Sequence, residues 1–316
     1  MTSPEINTYE PHKEPSEEIW SSSPGWFRRA LEIPMGHGAV EVDGASIHFL
    51  TWGEVGRPGL VFVHGGGANA YWWAHIAAQF ADDFRVLAVD MSGHGDSGHR
   101  QKYSLVQWTQ EVMAAAAAGG IEGPPVVIGH SMGGFVAIVT AALHSPDLAG
   151  VIVCDSPVTE PDPEVSGFHI GDAFGRPRVY ESLDVVAGRF RTVPMQEHYL
   201  DFVMDHVARN SAKEYEGGWA WKFDRNIFGQ FAGSVRGVAL PYLSDVTCRL
   251  ALLRSENGLV TKDIGESMFE KLGRVTPVIE IPEAGHHAML DEPLILLTAI
   301  RSLIADWQHS EPHRRS

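Results

Sequence analysis

Six short apolar runs punctuate the chain: GLVFVHG, FRVLAVD, PPVVIGH, AGVIVCD, RLALLRS and TPVIEIP. Uninterrupted runs of strand length suit strands covered on both faces, and so predict a parallel sheet. Between them lie stretches with helical spacing: NAYWWAHIAAQFADD, SLVQWTQEVMAAAAAGG, MGGFVAIVTAALHSP, TKDIGESMFEKLG and PLILLTAIRSLIADWQ. Two earlier segments, AVEVDG and SIHFLTWG, alternate apolar with polar positions around a glycine-containing turn, the pattern of a hairpin. Strand–helix alternation with right-handed crossovers predicts a doubly wound α/β core over residues 36–156 and 246–316.

Two intervals depart from this rhythm. Residues 1–35 carry five prolines among serines and glutamates, which leaves little to bury and predicts an extension on the surface or partly disordered. WFRRALEI is the one helix-like piece within it. Residues 157–245 hold no strong strand run, but many aromatics and helix-like pieces such as SLDVVAGRF and MQEHYLDFVMDHVARN. An insertion of that size between two core strands predicts a helical cap or lid. Its aromatics, including Phe190, Phe228 and the GGWAWKFD stretch, either form the cap's own small core or line an apolar pocket.

Charge narrows the class of partner. The 316-residue chain carries 40 acidic against 24 basic residues, a net charge of −16, and no basic block. Nucleic acids and anionic membranes both call for a cationic face, so neither is the expected partner. The N-terminal stretch has no apolar core of a signal segment, and no run reaches membrane-spanning length. The expected location is therefore cytoplasmic. Two cysteines, Cys154 and Cys248, both beside apolar runs, read as buried free thiols rather than a disulfide framework.

The chemistry centres on GHSMGG at 129–134, directly after the run PPVVI. Gly129, Ser131 and Gly133 fit G-x-S-x-G, with a strand before and a helix after. Such a turn forces the serine into a strained backbone conformation, and flanking glycines remove the Cβ atoms that would clash. The hydroxyl then stands at a helix N-terminus, where N–H groups favour developing negative charge.

With FVHGGG (62–67), VDMSGHGDSG (89–98) and EAGHHAMLDEP (283–293) following in order around the serine, the chain resembles the α/β-hydrolase superfamily over nearly its whole length after residue 38. The resemblance implies the α/β-hydrolase fold, a mostly parallel doubly wound sheet with an inserted helical cap. It implies Ser131 as nucleophile and His286, which directly follows a glycine, as base, with His287 a structural neighbour. The oxyanion donors would be the backbone N–H groups of Met132 and Gly66, with Gly67 second and bordering the substrate beside Trp72. Asp90 and Asp96 precede the serine, the wrong order for an acid in this fold, and read as turn residues.

The acid is where the chain departs from the majority pattern. Members usually carry it after the strand that here ends in LLRSENGLV, and that alignment puts the neutral Asn257 in the slot. Two carboxylates remain: Asp155, at the end of AGVIVCD, and Glu256, one position from the slot. Asp155 is favoured, since a subset of the family carries its acid at that strand end.

The expected function is a serine hydrolase that cleaves a carboxylic ester of a small or medium acid through an acyl-enzyme. Lactonase, amidase and C–C bond hydrolase activities use the same groups, and a non-catalytic binding protein on this scaffold is the alternative outside enzymes. Epoxide hydrolases and haloalkane dehalogenases of this fold need an aspartate where Ser131 stands. No metal or organic cofactor is implied, because no ligand spacing and no phosphate-loop lysine occur. The partner is a small-molecule ester, bound by a monomer or homo-oligomer.

Overall fold

The computed structural model describes residues 13, 15–160, 178–230 and 235–310. Among them ten strands follow in chain order: β1 (Gly36–Val42), β2 (Ala45–Trp52), β3 (Gly59–Val63), β4 (Arg85–Val89), β5 (Val126–His130), β6 (Gly150–Cys154), β7 (Ala212–Tyr215), β8 (Gly218–Trp221), β9 (Leu250–Asn257) and β10 (Val278–Gly285). Eight form one sheet in the order β1-β2-β4-β3-β5-β6-β9-β10. Strand β2 runs against both its neighbours, and every other pairing is parallel. The helices are α1 (Glu17–Ser22), α2 (Gly25–Glu32), α3 (Ala74–Ala77), α4 (Leu105–Ala118), α5 (Met132–His144), α6 (Leu183–Ala187), α7 (Asp201–Asn210), α8 (Asn226–Gln230), α9 (Val235–Val238), α10 (Lys262–Lys271), α11 (Ala288–Asp291) and α12 (Pro293–His309).

The uninterrupted apolar runs are explained by cover on both sides of the sheet. Along β3, Leu60 and Phe62 join one apolar cluster while Val61 and Val63 join the other. The same alternation splits Ile128 from Val127 on β5 and Ile152 from Val151 on β6. One cluster is completed by Trp73, Ile76 and the α12 residues Leu296 and Ile300, the other by Trp108 of α4 and Phe135, Val136 and Ile138 of α5. Cys154 is buried and Cys248 half-buried, both as free thiols. Among the described residues no helix is long and apolar enough to cross a membrane.

Three expectations need correction. The N-terminal region is not merely a surface extension: in α2, Phe27, Ala30 and Leu31 are buried, the i, i+3, i+4 stripe of a docked helix. The Phe27 ring packs edge-on against Phe202 of α7 at 4.9 Å. Residues 1–12 of that region lie outside the described residues. Secondly, NAYWWAHIAAQFADD is not one helix but the short α3 between two 3₁₀ turns. Its consecutive aromatics Tyr71, Trp72 and Trp73 are all buried, which one stripe of a continuous helix cannot achieve. Thirdly, the insertion between β6 and β9 is not all helical, because β7 and β8 pair as a hairpin. Parts of the expected cap, residues 161–177 and 231–234, lie outside the described residues.

The core also encloses neutral histidines. His75 of α3 is fully buried against Phe27 at 6.0 Å, and its Nε2–H donates to the Met289 carbonyl at 2.8 Å. Burial pushes its pKa down to about 4 from the ordinary 6.5. A histidine whose folded pKa is depressed adds stability that is fully present above its unfolded pKa and is lost as pH falls toward the folded value.

Two measurements follow. Truncation of Phe27 to alanine should cost about 3–5 kcal/mol in chemical denaturation, whereas the same change in a helix lying undocked on the surface would cost under about 1. Stability should fall as pH drops from 6.5 toward 4, and His75→Gln, which keeps a donor for Met289, should flatten that slope. An unchanged slope in the variant would show that His75 is not titrating in this range.

Candidate active site

Strand β5 delivers Ser131 at its carboxyl end, and α5 begins at the next residue. Ser131 sits at φ 53° and ψ −117°, outside the regions that side chains favour. A non-glycine residue so placed costs about 1–3 kcal/mol and persists only where its surroundings over-determine it. They do so here. The Ser131 N–H donates to Cys154 O at 3.0 Å, and its carbonyl accepts from the Gly134 N–H at 3.0 Å. A Cβ at Gly129 would lie 2.2 Å from Gly133 O, and one at Gly133 would lie 2.4 Å from the Val63 and His64 carbonyls. No side chain fits either position.

His286 stands between the end of β10 and the start of α11. Its Nε2 lies 3.0 Å from Ser131 Oγ, and its Nδ1 lies 2.6 Å from Asp155 Oδ2. With an ionised carboxylate as acceptor, Nδ1–H is the donor, which leaves the Nε2 lone pair for the serine hydroxyl. Ser131, His286 and Asp155, predicted from three separate segments, thus form one continuous hydrogen-bonded chain.

Asp155 follows β6 at φ 44°. Its carboxylate accepts from the backbone N–H groups of Leu259 at 2.7 Å, Val260 at 3.1 Å and Ser255 at 3.2 Å. Burial alone would raise its pKa. The hydrogen bond and charge of His286, with the N–H groups of Leu259 and Val260, outweigh that and hold it below the ordinary 3.8. The other candidate acid is elsewhere: Glu256 is exposed and its Oε2 accepts from the Glu283 N–H at 2.8 Å. Asn257 donates weakly to the Glu283 carbonyl at 3.4 Å. The end of β9 and the loop after it, which hold Asn257 and Glu256, thus form a cradle of N–H donors for an acid just past the end of β6.

The glycine loop after β3 closes the opposite side. An ideal Cβ at Gly65 would lie 3.3 Å from Ser131 Cβ, and one at Gly66 would lie 3.6 Å from Met132 Sδ and 3.3 Å from Phe228 Cε1. Gly67 has φ +70°, so the chain turns there. His64 fixes the base of this loop, donating through Nδ1 to Gly65 O at 2.7 Å and accepting the Met91 N–H at Nε2, 3.1 Å away. Asp90 accepts the Ala70 N–H at 2.7 Å and the Asp96 N–H at 3.0 Å, the structural role expected of it. Met132 carries the first N–H of α5, which has no acceptor within its own helix.

Of the aromatics near the loop, Trp72 borders the site, with its ring 5.4 Å from His287 and 5.7 Å from Phe190. Trp73 turns inward against Phe62 at 5.1 Å. The chain's own pattern did not single out Phe228 over Gly66, nor Gln196 and Asp291 beside His286. Their contacts join segments far apart in sequence, and a local pattern carries no signal for them.

Three imidazoles meet beside the serine. Burial, then the neighbouring His286, depresses His130 to about 3 and His287 well below 6.5, so both are neutral at physiological pH. Ring nitrogens of His130, His286 and His287 lie within 4.8 Å of one another, a spacing compatible with a metal ion. Two facts oppose that use: both nitrogens of His286 serve Ser131 and Asp155, and His130 Nε2 donates to the His286 carbonyl at 2.8 Å. A second group, His48, Asp90 and Asp96, is likewise engaged, Asp96 by Lys222 Nζ at 2.6 Å and Asp90 by His48 at 2.8 Å.

Comparison with known proteins gives the same scaffold. An esterase of Mycobacterium tuberculosis is 28% identical over 278 residues, 83% of this chain and 88% of the relative. A pimeloyl-[acyl-carrier protein] methyl ester esterase of Edwardsiella ictaluri is 39% identical over 103 residues, 32% of this chain and 38% of its own. Among solved structures, an E-2-(acetamidomethylene)succinate hydrolase superposes with a TM-score of 0.75 at 21% identity, over 86% of this chain and all of the other. The sequence profile of the alpha/beta hydrolase family matches residues 60–299, and this chain, a hydrolase in fold and kinship, belongs to that family.

Proposed function

We propose that the protein is a serine esterase that cleaves a carboxylic ester of a small or medium acid through an acyl-enzyme. The observation that carries this reading is the unbroken chain Ser131 Oγ–His286–Asp155, at 3.0 and 2.6 Å, ending on a serine at a helix N-terminus. His286 Nε2 takes the hydroxyl proton as Ser131 Oγ attacks the ester carbonyl. Asp155 holds the tautomer and stabilises the imidazolium that forms. The carbonyl oxygen, now anionic, is met by the N–H groups of Met132 and Gly66, each such donor being worth about 3–4 kcal/mol at the transition state. His286 then protonates the leaving alcohol. In the second half it activates a water that releases the acid and restores the serine.

Neutral neighbours help this cycle. Protonated His130 or His287 would repel the imidazolium, and their burial prevents that. The segment between β6 and β9 acts as a cap over the site, with Phe228 and Phe190 supplying apolar contact for the acyl or alcohol part. Two relatives named as esterases support the ester as the bond cleaved. Lactones, amides and β-diketones would be attacked by the same groups, so a panel of these beside simple esters tests the bond class. An ester that turns over no faster than the others would overturn the proposed preference.

The triad assignment makes a sharper forecast. Ser131→Ala should lose fluorophosphonate labelling and at least about 10³-fold in turnover, and Asp155→Asn roughly 10³–10⁴-fold, with the fold intact. Glu256→Gln should stay within about twofold of the parent. Near-native turnover in Asp155→Asn would remove that residue from the mechanism.

A further inference from the structure

The position of His286 is not secured by regular secondary structure. β10 ends at Gly285 and α11 begins at Ala288, so the two peptide groups around the histidine fall in the gap. Side chains from the following helix, from β5 and from the insertion fill it. The Gly285 N–H donates to Asp291 Oδ2 at 2.6 Å, and the His287 N–H donates to Gln196 Oε1 at 2.9 Å. The His286 carbonyl accepts from His130 Nε2 at 2.8 Å. Gln196 also closes the circle, because its Nε2–H donates to Asp291 Oδ2 at 2.8 Å.

Gln196 belongs to the insertion between β6 and β9, and its own segment is anchored. Its N–H donates to the Tyr199 hydroxyl at 2.8 Å, and the Leu200 N–H donates to Leu290 O at 2.9 Å. The amide packs so closely on the histidine loop that a Cβ at Gly285 would lie 2.8 Å from Gln196 Cδ. A side chain at 285 would displace the Gln196 amide, so the glycine before the histidine keeps this contact open.

Resting on the reading of Ser131 and His286 given above, we infer that Gln196 is a positioning residue: its amide clamps the His286 loop to the insertion, so that the insertion sets the alignment of the base. Both ends of the amide are used in the sense that only glutamine supplies at this length. The oxygen accepts a backbone N–H and the nitrogen donates to a carboxylate. Glutamate in its place would set a second carboxylate against Asp291. Asp291 is buried, which pushes its carboxyl up to about 6 against the pull of the Gly285 and Glu292 N–H groups.

The test uses the full chain with p-nitrophenyl butyrate as the probe ester. Gln196→Met keeps the length and removes the amide's hydrogen bonds, and Gln196→Ala removes the side chain. Each should lower kcat about 10–100-fold with KM held within about twofold, the signature of a misplaced group rather than a lost pocket. Thermal unfolding of Gln196→Met should stay close to the parent. The far-downfield proton resonance of the short His286 Nδ1–H···Asp155 bond should broaden or vanish in both variants. Should Gln196→Ala unfold, the Met variant decides. An unchanged kcat, or a lowered kcat with that resonance intact, overturns the inference. Full turnover in Ser131→Ala would instead overturn the functional reading, and the resonance would still report on the clamp.

Discussion

A buried carboxylate must be matched by donors or it will not stay charged, and the site is organised around that demand at Asp155. Four donors meet it: His286 Nδ1–H and the N–H groups of Ser255, Leu259 and Val260. Three come from the end of β9 and the loop after it, so the neighbouring strand must lie in register with β6 for the charge to persist. The parallel pairing of Val151–Cys154 with Leu250–Leu253 provides that register. The sheet and the ionic state of the site are one structure seen at two scales.

The same economy holds around the serine. Ser131 is strained, and that strain is tolerated because the glycines at 129 and 133 let β3 and α5 approach to contact distance. The approach in turn brings Gly65 and Gly66 against Ser131 and Met132. Packing density therefore positions the N–H groups on which the proposed chemistry relies. Neutral histidines complete the arrangement, since burial in a low-dielectric surrounding keeps charge off His130 and His287 beside His286.

Much of this was legible along the chain, for local reasons. Ser131 announces itself because a sharp turn needs glycines at fixed offsets, and His286 because the resemblance to the α/β hydrolases places the base directly after a glycine. Asp155 was legible as an acid ending a buried run, while Asn257 showed that the usual slot was empty. Features that depend on long-range packing were not. The hairpin of β7 and β8 has strands of only four residues, too short for alternation to stand out, although Glu216 and Gly217 at φ 40° and 84° form the left-handed turn a tight hairpin needs. Helix α2 was legible in WFRRALEI but its docking was not, because prolines and serines dominate the composition of the first 35 residues and its stripe of Phe27, Ala30 and Leu31 spans barely one turn. Gln196 reaches a residue 91 positions away, and no window along the chain contains both.

One topological detail has a functional price. Strand β10 lies at the margin of the sheet, paired with β9 alone, and His286 hangs from its end. Ser131, by contrast, leaves a central strand flanked on both sides. Partial loosening of the molecule begins where fewest ladder partners exist, so on the proposed mechanism the base His286 is carried by the part that frays first while Ser131 stays seated. Under mild denaturing stress the protein would fall silent before its interior melts, with the loss reversible as long as β5 and β6 hold.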